Sequence, residues 1–267
     1  MRINNNVAAL NAYRNQGATN VSLGKSLEKL SSGLRINRAA DDAAGLVISQ
    51  KLRAQLGGIR TAVRNVQDGI SVVQTAEGAF NEVHSMLTRM RELSVQAANE
   101  GSNDAEAIAA AQAEYDALAT EIDHISDETT FGSTNLLDGS YSAKEFQVSQ
   151  TAGDTVAVTI ADADSTALAV DGLTVGASAT TTALDAAINT VSEWRGDLGA
   201  LQNRFESMVN NLNVSMENLT ASESRIRDAD MALEMVSFTK SQILVQAGTA
   251  MIAQANSVPQ SVLRLLQ

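Results

Sequence analysis

The side chains with the greatest capacity for chemistry are few and scattered. The chain has no cysteine and only two histidines, His84 and His124. Disulfide bonds, zinc–thiolate sites and cysteine nucleophiles are therefore excluded. The densest titratable cluster is Glu121, Asp123 and His124, but positions i, i+2 and i+3 do not converge on one helix face. We expect no metal site there.

The sequence also lacks the motifs that position catalytic groups. Neither histidine lies in an H-E-x-x-H motif, and there is no G-x-x-x-x-G-K-[ST] loop, G-x-G-x-x-G turn or G-x-S-x-G elbow. Such motifs would place a metal-bound water, a phosphate or a nucleophilic serine. We therefore predict that the protein is not an enzyme and that it uses no cofactor.

Charge is unevenly distributed. The net charge is −12; residues 1–100 carry 12 basic and 8 acidic side chains, residues 101–200 carry 2 and 17, and residues 201–267 carry 5 and 6. Near-neutral ends suit protein contacts, whereas the acidic middle suits a solvated surface and is a poor partner for nucleic acid. A specific cation site in the middle is the less favoured alternative.

Neither end of the sequence contains a membrane signal. No run of 18 apolar residues occurs, so we expect no membrane insertion. Residues 1–7 lack the hydrophobic stretch of a cleaved secretory signal. A secreted protein with this start would need another export route.

Hydrophobic periodicity predicts the elements that would carry any site. In residues 70–97 apolar side chains settle at alternating spacings of three and four, which is the period of a coiled-coil seam. After a polar break, Asn103 and Glu106 predict the capped start of a second helix, which runs to about residue 127 and folds back on the first. A third seam over residues 184–226 predicts a helix of roughly 45 residues.

These seams supply the residues that we predict as the subunit-assembly seam. Every one is apolar and lies on the repeating face of its helix. The residues are Ile70, Val73, Phe80, Val83, Leu87, Leu201, Phe205, Met208 and Leu212.

Between the helices the apolar period changes to two. Residues 146–148 and 155–160 alternate around Gly153 and Asp154, which predicts a β-hairpin. Residues 130–180 are rich in Thr, Ser, Ala, Gly and Asp. We expect a small β-rich insertion with little core of its own and a partly exposed surface.

The two ends carry more apolar surface than a lone helix in water can expose. We predict that they pack against each other and against further copies of themselves. The residues predicted for this terminal-helix packing are Val7, Leu10, Leu27, Leu30, Val262, Leu263, Leu265 and Leu266. The predicted fold is therefore mainly α: an elongated antiparallel helical hairpin or coiled-coil bundle, with a small β-rich insertion and paired terminal helices.

Several segments, in order, resemble the bacterial flagellins. They are MRINNNVAAL at 1–10, SLEKLSSGLRINRAADD at 26–42, VRNVQDGISVVQTAEGA at 63–79, MRELSVQAAN at 90–99, QNRFESMVNNLN at 202–213, SRIRDADMALEM at 224–235 and QAGTAMIAQANSVPQSVL at 246–263. The resemblance covers about residues 1–130 and 190–267. So many separate matches in one order are highly specific.

The resemblance implies a filament subunit for swimming motility, with three parts. Residues 1–45 with 228–267 would form the inner tube, residues 46–129 with 181–227 the helical-hairpin assembly domain, and residues 130–180 its insertion. The insertion is too short for large outer domains, which implies a short flagellin. Flagellins leave the cell unfolded through the flagellar type III apparatus, so the implied location is the extracellular filament and the implied partners are further copies, cap and junction proteins.

Two recognition surfaces are also implied by the resemblance. Arg89, Leu93 and Glu114 match positions of the segment that the host innate receptor for flagellin contacts, with small departures at Thr88 and Ser94. The C-terminal residues 262–266 resemble the leucine motif bound by the export chaperone. In both places packing within the filament is the simpler alternative.

Two rival functions remain at this stage. A hook–filament junction protein would have similar terminal helices but a different middle, and the segments RINRAADDAAG and SRIRDAD favour a flagellin over it. A coiled-coil adaptor of another kind is the other alternative. An adaptor would not predict polymerisation that depends on the chain ends.

Overall fold

The computed structural model describes the backbone of residues 6–99, 101 and 103–265, and the side chains of residues 6–99, 101 and 103–257. The elements in chain order are α1 (Val7–Ser32), α2 (Ala43–Ala97), α3 (Ala105–Glu128), β1 (Thr130–Phe131), β2 (Thr134–Asn135), β3 (Lys144–Gln147), β4 (Thr155–Val158), α4 (Ser178–Arg227) and α5 (Met231–Leu265). The mainly α fold with a small β-rich insertion is confirmed. Within the described residues, no helix has the length and apolar character needed to cross a membrane.

The chain divides into two compact units. The terminal unit comprises Met1–Ala54 and Glu217–Gln267, and the central unit comprises Gln55–Met216. The two units have separate sets of stabilising contacts.

In the terminal unit, α1 and α5 pack side by side in opposite directions. The Asn6 amide donates to the Ala255 carbonyl over 2.8 Å, and at the other end of α1 the Lys29 ammonium lies 3.7 Å from the Glu234 carboxylate. α1 ends at Gly33, whose φ of 70° is the left-handed conformation that glycine adopts without steric cost. The paired terminal helices of the predicted fold are confirmed.

The segment between α1 and α2 is held by backbone and carboxylate hydrogen bonds. Leu34 and Asp228 form an isolated antiparallel bridge, and the Arg35 N–H donates to the Arg227 carbonyl over 2.6 Å. The Asp42 carboxylate accepts the Gly45 N–H over 2.9 Å, next to the start of α2. A Cβ atom at Gly45 would lie 2.5 Å from an Asp42 oxygen, so this turn requires glycine. These contacts give a physical role to the RINRAADDAAG segment.

In the central unit, α4 runs antiparallel to α2. Arg91 pairs with Asp185 over 2.5 Å, and further along the two helices the Phe80 and Trp194 rings are 5.7 Å apart. α3 follows α2 after a short connection and folds back beside it. The Arg89–Glu114 ion pair, at 2.8 Å, joins α2 to α3 at the surface.

The predicted start of α3 is wrong by one residue. The Asp104 carboxylate, rather than Asn103, accepts the Ala107 N–H over 2.8 Å and caps the helix. Asn103 instead donates from its side-chain amide to the Gln96 carbonyl near the end of α2. The Asn103 amide therefore joins the connection to α2, and the next residue becomes the cap.

The insertion contains two antiparallel hairpins, β1–β2 and β3–β4. The β3–β4 register pairs Phe146 with Val156, so the predicted hairpin around Gly153 and Asp154 is present. The insertion builds no separate core, because its apolar side chains belong to the same cluster as those of the helices in this unit. Buried examples are Leu136, Leu137, Val156, Val158, Ile160 and Val170.

Hydrogen bonds from α3 hold the insertion in place. The Tyr115 hydroxyl donates to the Val170 carbonyl over 2.7 Å, and the Ser126 hydroxyl donates to the Leu137 carbonyl over 2.8 Å. Burial, with smaller contributions from Asp116 and Asp171, raises the pKa of Tyr115 to about 12. The phenol therefore stays protonated and remains a donor throughout the physiological pH range.

Candidate assembly surfaces

The residues predicted as the subunit-assembly seam lie in the core of the single chain. Val73, Phe80, Val83, Leu87 and Phe205 are at most 1% exposed. The other four, Ile70, Leu201, Met208 and Leu212, are partly buried against the same core. The five buried residues therefore stabilise the fold of the single chain, and the role of the seam in subunit assembly stays a prediction.

The terminal helices have the opposite character. Val7, Leu10 and Leu27 of α1 are each more than half exposed, and Leu30 is half-buried. α5 exposes a longer apolar row, with Leu233 67% and Val236 69% accessible, together with Ile243 and Met251. Apolar side chains repeated along both helices form a surface that water solvates poorly. The pairing of α1 with α5 buries only one face of each helix.

A groove on α5 marks the densest part of this apolar surface. Its lining residues are Met235, Val236, Thr239, Lys240, Ile243 and Leu244. The residues predicted for terminal-helix packing do not include Leu233 or Val236. The run MALEMV at 231–236 was the available signal, because it places apolar residues on several sides of one turn.

The C-terminal residues predicted to contact the export chaperone fall at the end of α5 and beyond it. Val262, Leu263 and Leu265 fall in α5, but their side chains lie outside the described residues, as does Leu266 entirely.

The three positions that match the receptor segment differ in accessibility. Arg89 and Glu114 are exposed and pair with each other across α2 and α3, and Arg89 also reaches Glu92 at 3.2 Å. The hydrogen bond that Arg89 donates to Glu114, and secondly the one that it donates to Glu92, raises the pKa of Arg89. Leu93 is only 2% exposed and lies in the core below this pair. A partner can reach the two charged residues directly but not Leu93.

The two histidines lie on different helices, His84 on α2 and His124 on α3. His84 is half-buried on α2, and its Nδ1 has no hydrogen-bond partner among the described residues. No group of three or more histidine, aspartate or glutamate side chains within the described part of the chain is arranged to hold a metal ion.

Asp123 instead belongs to a carboxylate pair that sequence spacing does not indicate. The Ser165 N–H donates both to Asp123, over 2.8 Å, and to Asp164, over 2.9 Å. The hydrogen bond to Asp123, burial and the Asp123 charge raise the pKa of Asp164 to about 6. Burial opposes ionisation of Asp123, but hydrogen bonds from Asp164 and Ser165 outweigh it and lower the Asp123 pKa. The two carboxylates therefore share one proton in mild acid.

This pair predicts a pH-dependent contribution to stability. Because the folded pKa of Asp164 lies above its ordinary value, its contribution is full in acid and is lost as pH rises through about 6. An amide at this position would donate to Asp123 at every pH. Asp164→Asn should therefore raise the free energy of unfolding at pH 7.5 by ~1 kcal/mol, or about 2–4 °C in Tm, with little change at pH 4.5.

Thermal unfolding at the two pH values measures this effect. Asp154→Asn, in the exposed hairpin turn, makes the same charge change and serves as the control. Equal stabilisation by both variants at pH 7.5 would show that net charge, rather than the Asp123–Asp164 contact, is responsible.

Comparison with known proteins identifies the family. The family model for the bacterial flagellin N-terminal helical region matches residues 3–142, and that for the C-terminal helical region matches residues 181–266. The chain is 50% identical to a flagellin of Halalkalibacterium halodurans and 47% identical to a flagellin of Bacillus subtilis, with all of both chains covered in each case. It is 45% identical to the flagellar filament 33 kDa core protein of Treponema phagedenis, again over both full lengths.

A solved structure agrees with these relatives. The crystal structure of Bacillus cereus flagellin superposes with a TM-score of 0.50 at 33% sequence identity, covering 56% of this chain and 88% of that chain. These relatives are flagellins and filament core proteins, which does not favour the hook–filament junction alternative. With two flagellin family models together spanning nearly the whole sequence and relatives matched from end to end, the chain belongs to the bacterial flagellin family.

Proposed function

We propose that this flagellin, a structural subunit of the bacterial flagellar filament, joins its neighbours mainly through the exposed apolar faces of α1 and α5. The observation that carries the proposal is the row of α5 side chains that stay more than half exposed after α1 has packed. Burying a leucine or valine side chain that is otherwise exposed gains roughly 1.5–3 kcal/mol. Repeated along a helix, such gains favour association of many copies.

We propose a separate role in the filament for each of three parts of the chain. Residues 1–45 with 228–267 form the inner coiled-coil tube, and residues 46–129 with 181–227 form the surrounding layer that contacts neighbouring subunits. Residues 130–180 stiffen that layer, as supported by the burial of their apolar side chains against its helices. Removing the last 30 residues and offering the shortened chain to filament seeds tests the role of the ends.

The proposal extends to export. A chain without cysteine can pass unfolded through the flagellar type III apparatus without forming disulfides on either side of the membrane. The apolar C-terminal residues then serve twice: an export chaperone covers them in the cell, and neighbouring subunits, with the cap and junction proteins at the polymer ends, cover them afterwards. The chain without its last 30 residues should also fail to bind the purified chaperone in solution; full retention would refute this part.

A host innate receptor is a further proposed partner. Arg89 and Glu114 offer an exposed pair of opposite charges on adjacent helices, and Leu93 supports this surface from below. Arg89→Ala should remove activation of receptor-bearing reporter cells by the monomer while leaving filament assembly intact.

Arg91→Ala is the matched control for the receptor contact. Arg91 is a similarly exposed arginine of α2 in an ion pair, but its partner Asp185 lies on α4. Activation by the Arg91 variant should persist. Unchanged activation by the Arg89 variant would reject the receptor contact without affecting the assembly proposal.

A further inference from the structure

Two charged patches of the central unit have no ion pairs. The arginine patch consists of Arg60 and Arg64, exposed on α2, and the glutamate patch consists of Glu121 and Glu128, exposed on α3. Seven ion pairs form among the described residues of the chain. None of them includes Arg60, Arg64, Glu121 or Glu128. Their charges are available to a partner.

The arginine patch is electrostatically unfavourable in the isolated chain. Arg60 and Arg64 are one helical turn apart, and like charges at this spacing destabilise a helix. Among the described residues, the Arg64 guanidinium donates to the Thr61 hydroxyl, over 3.1 Å, and to no carboxylate. Asp68, one turn further along α2, does not approach Arg64 closely enough to form an ion pair. A carboxylate from outside the chain would relieve the repulsion.

The glutamate patch is unfavourable for a different reason. Glu128 is the last residue of α3, Asp127 precedes it, and the last turn contains no basic residue. The C-terminal end of a helix carries a partial negative charge, so carboxylates there are repelled and a cation is favoured. By contrast, the last turn of α1 contains Lys29, and that of α4 contains Arg225 and Arg227.

Both patches face away from the core of their unit. On α2 the buried positions nearest the arginine patch are Ile59, Ala62 and Val66, and on α3 those nearest the glutamate patch are Ile122 and Ser126. The charged residues project from the opposite sides of these helices. They are therefore open to a second copy rather than to another element of the same unit.

The spacing of the patches determines how two copies would meet. Distances along the hairpin can be counted from the Arg89–Glu114 ion pair at 1.5 Å per helical residue. The glutamate patch lies about 16 Å from this pair, and the arginine patch lies about 40 Å from it in the same direction. Two copies in the same orientation bring the patches together when one is displaced by about 25 Å along the helices. The contact joins different surfaces of the two copies, so each copy can repeat it with the next one and the chain of contacts need not close.

We propose that the glutamate patch of one flagellin pairs with the arginine patch of the next in the filament, and that this charged contact sets the stagger between neighbouring central units. The occupant of each patch is a second copy of this chain. The sequence-wide asymmetry supports this occupant, because the first 100 residues carry excess positive charge and the next 100 excess negative charge. Complementary charges contribute more to register and partner choice than to total affinity.

Charge reversal with rescue tests the pairing. Arg60→Glu/Arg64→Glu and Glu121→Arg/Glu128→Arg should each raise the critical concentration for seeded filament growth at least tenfold. The chain with all four substitutions should return to within threefold of the parent. An equimolar mixture of the two double variants should also grow, because alternating copies restore opposite charges at every contact.

Two controls separate this contact from folding and from net charge. Far-UV circular dichroism and thermal unfolding of each monomer test whether the variants fold. Lys144→Glu/Arg204→Glu changes two other exposed basic residues of the central unit by the same total charge and should grow as the parent does. The pairing would be overturned if this control lost as much growth as the arginine-patch variant. It would also be overturned if neither the fourfold variant nor the mixture recovered growth. Parent growth on seeds tests filament assembly itself, so the two failures are distinguishable.

Discussion

Removal of residues 238–267 is expected to leave a helical monomer that no longer adds to filament seeds. The deletion takes all but the first two turns of α5, and with them Ile243, Leu244 and Met251 of the exposed apolar face. α1 loses its helical partner and should lose much of its helical structure, because helices in proteins are stabilised mostly by packing against a partner. The central unit keeps its own core. Sedimentation after seeding measures growth, and far-UV circular dichroism measures the remaining helix.

A point substitution separates loss of the apolar face from loss of the helix. Ile243→Asp places a charge on the exposed face and leaves the backbone contacts of α1 and α5 in place, so the monomer should fold and growth should still fail. Thr249→Ala is the control, because this exposed hydroxyl only donates to the Gln246 carbonyl within α5. Growth of the shortened chain on seeds would refute the proposed role of the ends.

The contrast between the two units explains what the sequence alone could predict. An apolar heptad pattern specifies that a helix face is buried, and the seam of α2 and α4 is buried as its spacing requires. The pattern does not specify what buries it. Phe80 faces Trp194 of the same chain, and an identical pattern would arise if the partner were a second subunit. The pattern alone therefore fits a partner helix in the same chain and a partner helix in a second subunit equally well.

The insertion was harder to predict because its burial depends on tertiary contacts. Its composition is that of an exposed loop, yet the hydroxyls of Tyr115 and Ser126 on α3 bond its carbonyl groups. These bonds satisfy backbone groups that would otherwise be costly to bury. The Asp123–Asp164 contact joins residues 41 positions apart, and no local period reports such a pair. Composition therefore underestimated how much of residues 130–180 packs on the helices.

The terminal faces show the opposite case, in which an apolar pattern stays exposed in the folded chain. Val7, Leu10 and Leu27 remain exposed after α1 and α5 have packed. An apolar face that is exposed on the folded chain must pack against another molecule, because otherwise it lowers the solubility of the protein. In the assembly proposed above, further copies provide that cover. Burial within the chain marks the residues that stabilise the subunit, and exposure at its ends marks those proposed to join subunits.

One aromatic contact of the central unit joins α4 to the insertion. Phe205 of α4 is fully buried, and its ring meets Phe146 of β3 edge-on at 6.1 Å. Both rings lie close to α2, because a Cβ at Gly69 would lie 3.1 Å from the Phe205 ring and 3.4 Å from the Phe146 ring. Phe205 therefore touches α2 and the insertion at once, and no adjacent side chain of those elements can move into its place without separating them.

Phe205→Ala is accordingly expected to lower the free energy of unfolding by about 3–5 kcal/mol, the usual cost of removing a buried phenylalanine ring and leaving a cavity. Urea unfolding of the monomer, followed by circular dichroism, measures this loss. Arg204→Ala at the neighbouring exposed position should change stability by less than about 0.5 kcal/mol. Because folded subunits supply the polymer, the Phe205 variant should also need a higher monomer concentration for seeded growth at temperatures near its unfolding midpoint. Equal unfolding curves for the parent and Phe205→Ala would mean that the ring does not hold α4, α2 and the insertion together.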